Sequence, residues 1–209
     1  GSANAAAACL AAALLTSHPV TLSGVPHTTS TESMLELAGF LGAQITGGGG
    51  QPFELITDQI TKRQLTPTVT GGMVGGMLFV APILARRGYV RLEVDFPLNR
   101  VRTHLDALRD LKQDVSITSG AIEINATRWE HLDILLSQAS VTATGMVMML
   151  ATVLGRETVI RNAACEPHVQ ALGRMLERMG AQVEGIGSNC VTVFGTHDLV
   201  GTHATLPVD

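Results

Sequence analysis

The chain reads as an α/β fold of three repeats, with helices at the centre and sheets outside. Two observations predict it. The first is a helix-into-strand pattern that recurs three times: Leu41, Leu111 and Met179 hold equivalent places, 70 and 68 residues apart. Within each copy the apolar positions recur at three and four, which is helical spacing. The second is a set of three segments that are apolar all round: 4–15, 75–85 and 144–154. A helix without a polar stripe must be buried on every side.

The elements follow in order. Each apolar helix precedes a short strand, at 20–22, 90–94 and 158–160. Each strand precedes an amphipathic helix that runs into a further strand, over 34–45, 104–115 and 171–183. Two more strands complete each unit. The first of these lies at 53–57, 121–125 and 191–194, and the last at 66–70, 131–136 and 203–208. Arg91-Leu-Glu-Val and Ala121-Ile-Glu-Ile alternate, so one face of each sheet is expected to meet water. The repeats run over about 1–65, 66–130 and 131–209. The chain opens on a helix and closes on a strand, as a domain cut from a longer chain would. Residues 203–208 can supply the edge that the first unit lacks.

Composition sets limits on function. At 209 residues the chain can bury roughly 70% of its unfolded surface. Hydrophobic residues are 45% and charged residues 15%, which excludes a disordered chain. Aromatics are 3% and the formal net charge is −4, so neither a base-stacking platform nor a polyanion-binding surface is expected, and no nucleic acid partner is assigned. The apolar run at 5–15 is too short to span a bilayer, and no membrane partner is assigned. Cys9, Cys165 and Cys190 are widely spaced without a CxxC, which suits a reduced, cytoplasmic setting rather than a disulfide framework or a zinc site. Cys9 reads as core and Cys165 as the start of a helix. The seven histidines show no ligand spacing, so no metal or other cofactor is assigned. Gly47 to Gly50 reads as a flexible connection, because no Lys-Ser/Thr follows it.

Four segments carry a family resemblance. Gly-Ser-Ala-Asn-Ala-Ala at 1–6 resembles the Gly-[Ala/Ser]-Lys-Asn-Ala-Ala opening of the UDP-N-acetylglucosamine enolpyruvyl transferases, relatives of EPSP synthase. Pro19-Val-Thr-Leu-Ser-Gly-Val-Pro26 resembles that family's next strand. Ser140-Val-Thr-Ala-Thr144 is similar to its Ser-Val-Gly-Ala-Thr, and Val159-Ile-Arg-Asn-Ala-Ala-Cys-Glu-Pro167 to its Ile-Glu-Asn-Ala-Ala-Arg-Glu-Pro. The resemblance implies an inside-out α/β barrel of three βαβαββ-type repeats, one of two similar domains facing a cleft. It implies transfer of the enolpyruvyl group of phosphoenolpyruvate to a sugar nucleotide in peptidoglycan precursor synthesis. The partners implied are both substrates and a second similar domain, absent from this sequence. The Asn-Ala-Ala-x-Glu-Pro segment and Asn4 favour this cell-wall branch over the shikimate-pathway sister enzyme.

Matched positions give the candidate substrate-binding residues Asn4, Arg100, Ser140, Val141 and Glu166. Each has a second reading. Asn4 and Ser140 suit helix N-caps, with Val141 then simply opening the helix. Glu166 suits a helix start with Pro167 at its first position. Arg100 sits in a stretch, Arg86 to Lys112, that holds seven of the 14 Lys and Arg residues and reads equally as a solvated face. No catalytic residue is assigned. The family's opening lysine falls at Ala3, its helix arginine near Val74 and the lysine before the Ser-Val motif at Gln138. The segment 95–103, matching the family's cysteine loop, contains no cysteine. A divergent relative that binds a ligand or partner without this chemistry is therefore the second functional class.

Overall fold

A computed structural model describes residues 3–71 and 74–207. Gly1, Ser2 and Val208, used in the readings above, lie outside the described residues, as do the side chains of Ala3 and Val74. The first unit runs α1 (Ala3–Ala13), β1 (Val20–Ser23), α2 (Thr29–Leu41), β2 (Gln44–Gly48) and β3 (Gln51–Ile56). The second opens on β4 (Gln64–Leu65), the one-turn α3 (Pro67–Thr70) and a 3-10 helix at Val74–Phe79. It continues through α4 (Val80–Arg87), β5 (Tyr89–Glu93), a 3-10 turn at Leu98–Val101, α5 (Arg102–Asp110), β6 (Asp114–Thr118) and β7 (Ala121–Asn125). The third is β8 (Trp129–Leu135), α6 (Val141–Leu154), β9 (Gly155–Arg161), α7 (Pro167–Arg178), β10 (Gln182–Glu184) and β11 (Cys190–Phe194). The last strand is β12 (His203–Thr205).

These strands form three four-stranded sheets of one topology: β12-β1-β3-β2, β4-β5-β7-β6 and β8-β9-β11-β10. In each, the first pair is parallel and the other two are antiparallel. A parallel pair needs a crossover. Within the second and third units that crossover is the apolar helical segment between the paired strands. In the first sheet the parallel partner of β1 comes from the far end of the described chain, with Leu22 beside Ala204 and the Leu206 amide donating to the Ser23 carbonyl. The expected role of the closing strand is thus observed. Among the described residues the sheets stay open and separate, and no strand ladder closes on itself.

The apolar helices form the core. Leu14, Leu78, Met148 and Leu150 are 0%, 3%, 1% and 0% exposed. The strands around them alternate buried and half-buried positions, most regularly in β1, β5 and β11. Helix ends follow local chemistry. Thr28 and Thr31 form a reciprocal capping box at the start of α2, each side chain bonded to the other's amide. Pro167 opens α7, where its missing N–H costs nothing.

Three expectations change. The strand expected at 66–70 is only Gln64–Leu65, because Pro67 cannot donate to a ladder and starts α3 instead. The helix expected at 75–85 divides into 3-10 and α segments. Pro82 is the third residue of α4, within the first turn, where no intrahelical N–H is required. The Gly47 to Gly50 run is no loose connection but the β2–β3 hairpin. Gly47 has φ +99°, and a Cβ there would come within 2.0 Å of the Pro52 carbonyl oxygen.

Candidate functional site

Five helical segments begin around one cavity of about 150 Å³. The α1 segment contributes Asn4, Ala7 and Ala8; α2 contributes Ser30 and Met34. Gly75 and Leu78 come from the 3-10 helix, Val141, Thr142 and Gly145 from α6, and His168, Val169 and Leu172 from α7. All lie in the first two turns of their segments. First-turn amides lack intrahelical acceptors, and the aligned peptide dipoles add partial positive charge there. The first turns of α1, α6 and α7 carry no acidic residue to offset it; α2 carries Glu32. Small residues explain how the segments approach so closely. A Cβ on Gly145 would sit 3.0 Å from Leu78 and 3.3 Å from Leu172.

The expected site residues divide. Asn4 and Val141 line the cavity together. Asn4 is the second residue of α1 rather than its cap. Ser140 caps α6, its Oγ accepting from the Ala143 amide at 3.1 Å, so the capping reading holds for it. Glu166 occupies the N-cap position of α7, exposed and with no side-chain cap bond; the lining begins two residues later at His168. Arg100 lies in the 3-10 turn at Leu98–Val101. Its guanidinium stacks over Phe96 at 5.2 Å, and it does not line the cavity.

Ser30, Thr142 and His168 are lining residues that the sequence reading did not single out. Thr142 had a visible signal, since it stands where the resembled motif has glycine. Behind it, on α5, His104 is 2% exposed and its Nε2 lies 2.8 Å from Thr142 Oγ1. Burial pushes the His104 pKa down to about 4, so the ring is neutral near pH 7. Cys9, in α1, is also buried, and burial pushes its thiol up to about 12, so it is inert. Cys165 is exposed and immediately precedes the α7 cap.

The same three apolar segments end around a second, wider cavity of about 560 Å³. Leu15, Arg86 and Val153 line it, with His18, Arg128, His197 and Asp198. Arg86 donates to the carbonyls of Leu14 (3.1 Å), Thr57 (2.8 Å) and Asp58 (2.8 Å). Arg87 donates to Ile60, and Arg128 to Val153 at 3.0 Å. Arg86 and Arg87, the first two of the seven cations between Arg86 and Lys112, thus satisfy backbone carbonyls. Arg91 pairs with Glu93, and Arg102 lies 3.8 Å from Asp106.

A family model described as EPSP synthase (3-phosphoshikimate 1-carboxyvinyltransferase) matches residues 1–209. The chain belongs to this family. Among curated relatives, the UDP-N-acetylglucosamine 1-carboxyvinyltransferase of Treponema pallidum (strain Nichols) is 36% identical over 213 residues, covering 100% of this chain and 50% of that protein. The one from Coxiella burnetii (strain Dugway 5J108-111) is 34% identical over 215 residues, covering 99% and 49%. The enolpyruvyl transferase NikO from Streptomyces tendae superposes with a TM-score of 0.86 at 20% identity, over 100% of this chain and 51% of that one. That likeness concerns the fold. The chain spans about half the length of the curated relatives it matches. Among the described residues no helix is long and apolar enough to cross a membrane.

Proposed function

We propose that this chain is the sugar-nucleotide-binding half of an enolpyruvyl transferase of the UDP-N-acetylglucosamine 1-carboxyvinyltransferase type, acting in cytoplasmic peptidoglycan precursor synthesis. In this reading residues 1–209 form one domain of three βαβαββ-type repeats around a helical centre. A second similar domain supplies the other wall of the cleft, and the site includes Asn4, Ser140, Val141 and Glu166. The observation that carries it is the cavity at the helix starts, where the peptide dipoles of several helices converge and suit the diphosphate of a nucleotide sugar. Alone, the chain does not transfer the enolpyruvyl group. One cleft wall neither orients two reactants nor excludes water.

One observation favours the second reading, a relative that binds without catalysis. The described lining of the cavity includes no lysine or arginine, and the matched family cations fall at Ala3, Val74 and Gln138. Enolpyruvyl transfer releases the phosphate of phosphoenolpyruvate, and cations stabilise the charge that this group carries as it leaves. Calorimetric titration with UDP-N-acetylglucosamine, beside a phosphate-release assay with phosphoenolpyruvate added, tests both readings. Binding without turnover is expected from the isolated chain. Absence of binding overturns the sugar-nucleotide assignment, and turnover above the buffer blank overturns the inactivity of the single domain.

A further inference from the structure

Three threonines of α6 differ in what they do with their hydroxyl proton. Thr144 donates to the Ser140 carbonyl at 2.6 Å and Thr152 to the Met148 carbonyl at 2.8 Å, the usual back-bond to the preceding turn. Thr142 makes no such bond. Its Oγ1 meets His104 Nε2 at 2.8 Å and Ser140 Oγ only at 3.5 Å, beyond the ordinary range for two hydroxyls. The direction of the His104 contact follows from the other ring nitrogen. Nδ1 is buried and has no partner among the described residues. A neutral imidazole carries one N–H and one acceptor nitrogen. A proton on Nδ1 would be a buried donor without acceptor, a rarer and costlier defect than an unfilled lone pair. The proton therefore sits on Nε2 and is donated to Thr142 Oγ1. Among the described residues the hydroxyl proton of Thr142 then has no acceptor nearer than Ser140 Oγ at 3.5 Å, and Thr142 lines the cavity at the helix starts.

We propose that Thr142 is the ligand-selecting hydroxyl of this cavity, donating to an oxygen of a phosphate or diphosphate group, and that His104 is the positioning residue that holds it in that role. The resembled motif has glycine here, so the hydroxyl distinguishes this chain. In a lining without lysine or arginine, a hydroxyl added to the free amides of α6 decides more of the affinity than it would beside a cation. The proposal deepens the sugar-nucleotide reading and takes from it only the class of ligand.

The test has two arms. In 15N-labelled protein without ligand, at neutral pH, His104 is expected to show a protonated Nε2 and an unprotonated Nδ1; the reverse pattern overturns the positioning role. Calorimetric titration with inorganic diphosphate is then compared across variants whose thermal melts match the parent. Thr142→Val is expected to weaken binding about tenfold and Thr142→Ser to stay within about twofold. His104→Leu is expected to weaken it similarly, while His104→Gln, whose side-chain amide replaces the Nε2 donor, restores it. Equal affinity in Thr142→Val and the parent, or no diphosphate binding by the parent, overturns the proposal. If Thr142→Val does not fold, Thr142→Gly takes its place with the same expectation. Diphosphate binding with this pattern but no UDP-N-acetylglucosamine binding removes the sugar-nucleotide reading and leaves Thr142 assigned. Binding of both that ignores Thr142 does the opposite.

Discussion

The two ends of the helical core are built differently. The apolar segments α1, 3-10/α4 and α6 start at one cavity and finish at the other. At the finishing end the chain answers its own backbone: Arg86 and Arg128 donate to carbonyls at or near the ends of α1 and α6, where the dipoles place partial negative charge. At the starting end three of the four α-helices that line the cavity have no first-turn carboxylate. One end is electrostatically closed by side chains of this chain. The other has no arginine or lysine among its described lining residues, its caps are mostly neutral threonine and serine hydroxyls, and it is the narrower of the two. The contrast locates the surface left for an anion without reference to any relative.

The largest expected effect removes what joins the two ends. Leu14 is fully buried, one residue past α1. Leu14→Ala is expected to cost about 2–5 kcal/mol in urea denaturation, with the slope of the transition unchanged.

Acid comes next. The folded His104 pKa, about 4, lies below the unfolded value of 6.5, so the unfolded chain binds more protons between them. Stability is then complete above about pH 6.5, falls as pH drops towards about 4, and levels off below that as far as this group decides. The contribution lost is about 3 kcal/mol. His104→Gln is expected to flatten this segment of the stability profile; an unchanged slope would place the titrating group elsewhere.

Arg86→Ala tests the closed end. Three carbonyls lose a charged donor, two of them in part-buried contacts, and a loss of about 1–3 kcal/mol is expected in thermal or urea unfolding. Ligand binding at the far cavity should not change in the folded variant.

Ser30→Ala tests the open end and carries the smallest effect on stability. Ser30 is exposed in the first turn of α2, and its removal is expected to shift stability by no more than about 0.5 kcal/mol. Under the proposed function the same substitution weakens UDP-N-acetylglucosamine binding. A stability loss as large as that of Arg86→Ala would erase the distinction between the two ends.

Much of the fold was legible because periodicity is local. The all-apolar stretches of α1 and α6 and the threefold spacing of Leu41, Leu111 and Met179 required no knowledge of contacts. Where backbone chemistry intervened, the pattern misled. Pro67 turned an expected strand into a helical turn, and the segment holding Gly75, Gly76 and Pro82 divided an expected helix. Of the site, Asn4 and Val141 were visible through motif resemblance. Arg100 was not separable from other loop cations by sequence, and the structure puts it on Phe96.

The amino-acid sequence by itself determined most of the helix and strand segments, which helices are buried, and that three like units share one core. Hydrophobic spacing carries that information along the chain. Only the tertiary structure decided that five helical segments start at one cavity and that His104 reaches Thr142 across 38 residues. Those facts depend on the angles and offsets between packed elements. No single segment encodes them, because each is set by how side chains from several segments fill the space they share.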